Sequence, residues 1–260
     1  MKTFFTYILG LITIGVLIYG HSYWNQKIEA APKRDSSAVT KQDIQESGAN
    51  SSNLLAFSKN WPADSIEGFK QAMAEKRPFK ILFVGSPAIG SETDGAYPII
   101  KNKLLETYGE KNIQVGIKTF NSTSTQLLHS PGMEEVIREK ADLVVLEPFI
   151  LLNNGKILIG DTLKNVTQMM NDIKAGNPKM TFILQPSFPL YKAKNYPTQV
   201  GELKKFAESN QIPYLDHWAE WPNSNTSEFK NYLLPDHSAP SEKGNRIWSE
   251  YLINFFISHD

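Results

Sequence analysis

After Trp61 the chain alternates between short apolar runs and segments with helical spacing of apolar residues, and this restricts the fold more than any other feature. The runs Phe79–Gly85 (FKILFVG), Ile113–Phe120, Asp142–Pro148 (DLVVLEP), Met180–Gln185 (MTFILQ) and Ile212–Asp216 (IPYLD) have strand length and composition. DLVVLEP is almost continuously apolar, as a parallel strand covered on both faces should be. Between and around them, Ala63–Lys76, Pro98–Tyr108, Asp161–Lys174, Pro197–Ser209 and Pro240–Phe256 space their large apolar residues three and four apart. We expect Asp161 to cap its helix and Pro240 to sit in the first turn of the last one. Five strands with intervening helices predict a three-layer α/β/α sandwich around a five-stranded parallel sheet. Right-handed crossovers then gather the C-terminal strand ends on one edge, where sites form in such sheets.

The alternation starts late in the chain. Phe4–Gly20 (FFTYILGLITIGVLIYG) carries no charge and follows Lys2. As a helix rising about 1.5 Å per residue it would span about 26 Å, just short of a bilayer core of about 30 Å. Tyr19, Tyr23 and Trp24 stand where interfacial aromatics are favoured. Residues 1–24 therefore read as a single-pass anchor in the cell membrane, with the remainder extracytoplasmic. The rival reading is a signal segment cleaved near Ala30–Ala31, leaving a secreted protein. Lys27, Lys33 and Arg34 follow the run and by themselves favour the opposite orientation. Residues 25–59 are rich in Ser, Asn, Gln, Ala and Lys and read as a flexible linker, which leaves 60–260 as the domain.

Lys plus Arg and Asp plus Glu number 27 each, so no charge imbalance points to nucleic acid. The absence of cysteine excludes a thiol nucleophile, a Cys-ligated metal and any disulfide. No metal-ligand spacing, phosphate-binding loop or dinucleotide fingerprint occurs, and neither metal nor cofactor is expected.

The polar residues at the strand ends are few. They comprise Gly85-Ser86-Pro87-Ala88, then Asn121-Ser122-Thr123, then Glu147 with Asn153-Asn154-Gly155, then Gln185-Pro186-Ser187, and finally Asp216-His217-Trp218. Pro235-Asp236-His237-Ser238-Ala239-Pro240 precedes the last helix, and that helix contains Gly244. A strand ending in Gly-Ser, a polar turn after the second strand, an Asn-rich segment after the third and an Asp/His turn before the last helix resemble the SGNH (GDSL) hydrolase family. The resemblance covers roughly residues 79–257, and its most specific piece is PDHSAPSEKGNRIWSEYL. It implies a flavodoxin-like fold, a Ser nucleophile after strand one, and an Asp/His pair before the last helix. A Gly and an Asn after strands two and three would help hold the oxyanion. In such a site His deprotonates Ser, Asp orients His, and amide donors stabilise the tetrahedral oxyanion.

On that resemblance the catalytic candidates are Ser86, His237 and Asp236, and the oxyanion or substrate-binding candidates are Asn121, Asn153 and Asn154. The sequence also departs from the family pattern. Strict alignment puts Pro87 at the nucleophile position and Ala239 where the His belongs, so Ser86 is one residue early and His237 two. Glu147, at the end of a buried strand, must be paired or near a cleft. His217, beside Trp218 and Trp221, reads as part of a packed aromatic cluster. The leading expectation is a cell-envelope esterase acting on a small-molecule or glycan ester, such as an O-acetyl group. The alternative is a catalytically inactive module of the same fold that binds an envelope polymer or a partner protein.

Overall fold

The computed structural model describes residues 52–259. The Phe4–Gly20 run and the anchor, signal and orientation readings built on it lie outside the described residues. Among the described residues no helix is long and apolar enough to cross a membrane.

The ordered core begins earlier than residue 60. Residues 52–57 are helical, Leu54 is buried in the core, and the Ser258 amide donates to the Phe57 carbonyl at 2.8 Å. Trp61 locks this entry in place. Its indole N–H donates to the Phe256 carbonyl at 2.8 Å, and its ring contacts Phe69, Phe79, Tyr108 and Phe256.

The elements that follow are α1 (Ala63–Ala74), β1 (Phe79–Gly85), α2 (Ala96–Tyr108), β2 (Ile113–Thr119), α3 (Ser124–Leu128), α4 (Gly132–Arg138) and β3 (Leu143–Leu146). Then come α5 (Ile150–Asn153), α6 (Ile159–Gly176), β4 (Thr181–Leu184), α7 (Asn195–Ser209) and α8 (Glu242–Phe256), with 3-10 turns at Pro87–Ile89, His217–Glu220 and Ser227–Tyr232. The sheet is parallel throughout, in the order β2-β1-β3-β4. Successive strand side chains point to opposite faces, so each strand feeds two cores. Ile81, Phe83, Leu143 and Val145 pack with α1, α2 and α8, whereas Leu82, Val84, Val144 and Leu146 pack with α4, α6 and α7.

The sheet has four strands, not the five expected. Ile212–Asp216 joins β4 through a single parallel bridge, Leu184 with Tyr214. The Leu184 amide donates to the Pro213 carbonyl and the Leu215 amide to the Leu184 carbonyl, both at 2.8 Å. Pro213 and Pro186 have no N–H, so the ladder cannot continue on either side. Two helix starts also differ from expectation. Leu158 precedes α6, leaving Asp161 in its first turn rather than at the cap. Ser241 caps α8 by accepting from the Gly244 amide at 3.5 Å, which places Pro240 just outside the helix.

Candidate functional site

Parallel pairing brings the ends of all four strands to one edge, and β1 and β3 meet there most closely. Gly85 lies against Glu147, and a Cβ on Gly85 would stand 2.7 Å from the Glu147 Cβ. Only glycine permits that approach. Glu147 therefore folds over the strand end, and the Ser86 amide donates to its Oε2 at 2.6 Å. Both residues are 1% exposed, and Glu147 Oε1 has no hydrogen-bond partner among the described residues. Burial pushes the Glu147 carboxyl above its ordinary range, opposed by hydrogen bonds from the Ser86 hydroxyl and amide and the Phe149 amide. Ser86 Oγ also accepts from the Ala88 amide at 3.4 Å, opening the 3-10 turn Pro87–Ile89. These contacts make Ser86 a buried turn-forming residue whose polar neighbour is an acid.

The turn before α8 is organised separately. The Ser238 amide and hydroxyl donate to Asp236 Oδ1 at 3.0 and 2.7 Å, and they hold this carboxyl below its ordinary range. His237 has φ 60°, its amide donates to the Leu234 carbonyl at 2.8 Å, and its half-buried ring rests against Tyr191 with centroids 5.5 Å apart. Asp236 thus engages Ser238, not the His237 ring. Among the described residues no hydrogen bond joins a serine hydroxyl to a histidine ring.

The asparagines divide as well. Asn153 is 2% exposed, and its amide donates to Ser124 Oγ at 2.8 Å and Thr162 Oγ1 at 2.9 Å while its Oδ1 accepts from the Ser124 amide. Both of its side-chain hydrogens are used in tying α5 to α3 and α6, which leaves none for an oxyanion. Asn121 is exposed just beyond β2, and Asn154 ends α5 beside Gly155, whose φ is 74°. His217 is buried in the aromatic cluster. Its Nε2 donates to the Pro186 carbonyl at 3.0 Å, its Nδ1 accepts from the Trp221 indole at 3.1 Å, and its ring stacks on Trp248 at 4.6 Å. These partners require the neutral ring, and desolvation lowers its pKa to about 4.

One surface feature at this edge was not legible as a site. A groove of about 390 Å³ runs between the turn after β1 and the segment before α8. Pro87, Pro98, Ile99, Leu234 and Ala239 supply its apolar wall, and Asp94, Glu242 and Asn245 its polar groups. Three large apolar side chains are exposed among the described residues, and two of them, Ile99 and Leu234, stand here. Its rim is pinched by Gly90 and Gly95, bridged to each other with φ 111° and 90°. A Cβ on Gly90 would fall 2.1 Å from the Asp94 carbonyl oxygen, so the paired glycines were the available signal. Among the described residues no group of His, Asp and Glu side chains is placed to hold a metal ion.

The sequence matches no protein-family model and no curated protein. Solved structures do share its fold. A GDSL-like lipase from Parabacteroides merdae aligns with TM-score 0.57 and 14% identity, over 70% of this chain and 96% of that one. Axe2, an acetylxylan esterase from Geobacillus stearothermophilus, aligns with TM-score 0.56 and 17% identity, over 71% and 96%. A GDSL-like lipase from Bacteroides thetaiotaomicron gives TM-score 0.50 and 18% identity, over 72% and 96%.

Proposed function

We propose that this chain, which has an SGNH/GDSL hydrolase-like fold, uses it as a binding module rather than as an esterase. Its ligand would sit in the groove between the β1 turn and the segment before α8. One observation carries this reading. Pro87 and Ala239, which stand where the family pattern has its nucleophile and its base, both line that groove. The site is thus retained as a concavity while its reactive groups are replaced by apolar ones. Ile99 and Leu234 would supply apolar contact, and Asp94, Glu242 and Asn245 the polar contacts that orient a ligand. The N-terminal run Phe4–Gly20 supports placing the module at the cell envelope, facing an envelope polymer or a partner protein.

The esterase reading, with Ser86, His237 and Asp236 as its catalytic residues and a glycan O-acetyl ester as substrate, keeps one observation in its favour. All three residues sit at the C-terminal edge of the sheet, and two solved relatives in fold are named lipases and a third an esterase. The two readings part in one experiment. Full-length protein is assayed on small activated acetyl esters beside the Ser86→Ala and His237→Ala variants. We expect no turnover above Ser86→Ala, with a Leu234→Asp variant losing retention on wall polymer that wild type shows. Hydrolysis abolished by both Ser86→Ala and His237→Ala would establish the esterase instead.

A further inference from the structure

Several lysines of this fold are matched by acids. Lys80 and Lys118 pair with Glu139, Lys101 with Glu92, and Lys204 with Asp216. A different arrangement occurs beyond the end of β4. The Lys192 Nζ lies 5.3 Å and the Lys230 Nζ 4.9 Å from the centroid of the Tyr191 ring, and the His237 ring meets the same ring at 5.5 Å. Neither lysine has an ion-pair partner among the described residues. Three separate segments deliver these groups: the stretch after β4, the 3-10 turn Ser227–Tyr232, and the turn before α8.

We propose that Tyr191, Lys192, Lys230 and His237 form a binding site for a phosphate group. A tyrosine face attracts an ammonium through its quadrupole but does not cancel its charge. One ring therefore gathers two cations, and a phosphate oxyanion that their flexible stems can both reach would gain from each. The imidazole adds an N–H donor at the ring's edge. Of the nearby acids, Asp236 is bonded by Ser238 and interacts electrostatically with the His237 ring, while Glu228 makes no ion pair with Lys230 among the described residues, so neither lysine has a carboxylate paired to it. Lys192 and His237 both hold left-handed backbone, φ 51° and 60°, which non-glycine residues adopt at a cost and which here presents both side chains to one ring. The Lys192 amide is fixed by the Ser224 carbonyl at 3.0 Å. None of the four residues lines the groove, so the site stands independently of the binding-module reading.

The test is titration of the full-length protein with inorganic phosphate and, separately, with polyphosphate, followed by calorimetry and by the histidine ring resonances. Binding should shift the His237 signal and leave the buried His217 signal in place. Lys192→Ala and Lys230→Ala should each weaken binding by roughly 3- to 10-fold, with arginine at either position retaining most of it. Lys111→Ala, an exposed lysine at the opposite edge of the sheet, should have no effect, and added salt should weaken binding throughout. Binding of inorganic phosphate makes this a single-anion site, and binding of polyphosphate alone makes its ligand a polymer. Binding of neither probe, or an equal loss in Lys111→Ala, overturns the proposal.

Discussion

Two regions at the same sheet edge carry the residues that the sequence groups into one site, and they are built in opposite ways. At the junction of β1 and β3, Ser86 and Glu147 are 1% exposed and bonded to each other over a glycine that admits no side chain. In the turn before α8, Asp236 and Ser238 are open to solvent and bonded to each other, within two residues of chain, while the half-buried His237 rests on Tyr191. The interior pair is part of what holds the strands together. The turn is a surface feature whose internal bonds would survive on almost any scaffold. Residues of catalytic type can therefore share an edge without sharing a hydrogen-bond network, because a strand end points side chains into the layers while a loop points them away.

The contrast breaks most easily at its lid. Trp248 is fully buried, its indole N–H donates to Gln185 Oε1 at 3.0 Å, and its ring covers His217. Trp248→Ala should cost about 3–5 kcal/mol, the usual price of emptying such a site, and truncation before Trp248 should abolish cooperative unfolding. Urea denaturation checks both. A small loss would place α8 outside the core and remove the reason for calling the interior sealed.

Acid titration sharpens the comparison next, since only the interior groups have strongly displaced protonation. The unfolded chain protonates His217 near pH 6.5, whereas the folded chain resists until about 4. Its contribution is thus complete above pH 6.5 and is lost as the pH falls toward 4, by about 3 kcal/mol. Glu147 works in the other sense. Its folded pKa is raised, so its contribution is complete below the unfolded value of 4.5 and is lost as the pH rises. Urea midpoints across pH should show a flatter acid limb in His217→Gln and a gain at neutral pH in Glu147→Gln. Parallel curves for wild type and both variants would mean that these groups are hydrated.

The smallest expected difference is between the two serine-and-acid pairs themselves. Ser86→Ala should lower stability by roughly 1 kcal/mol, because it keeps the amide bond to Glu147 but removes the buried hydroxyl that accepts from the Ala88 amide. Asp236→Ala should lower the melting temperature less than Ser86→Ala does, because its carboxylate is exposed and water replaces most of what the Ser238 bonds supply. Equal effects from the two variants would erase the distinction between interior and turn.

Much of the fold was legible beforehand because it depends on local pattern. Phe79–Gly85 forms the strand its apolar run predicted, and Asn195–Ser209 and Ala96–Tyr108 extend the expected helices by two residues at their starts. Ser124–Leu128 and Gly132–Arg138 are too short to show a helical period, although Thr123 and Gln126 form a capping box. The packed start at residues 52–57 was hidden because its apolar run, Leu54–Phe57, is only four residues long and gains its value against Tyr108 and the segment after the last helix.

Sequence alone determined the four paired strands, the long helices, the parallel α/β class of the fold, and the edge at which polar residues collect. Apolar periodicity and turn chemistry act over a few residues, and a linear reading contains them. Only the tertiary structure decided that Ser86 answers to Glu147, that Asn153 spends its amide on Ser124 and Thr162, and that Tyr191, Lys192, Lys230 and His237 come together. Those pairings join residues far apart in the chain, and they depend on strand register, a missing Cβ at Gly85 and the exact course of three loops. A hydrogen bond fails within about an ångström of misplacement, so such contacts exist only once the whole domain has set the distances.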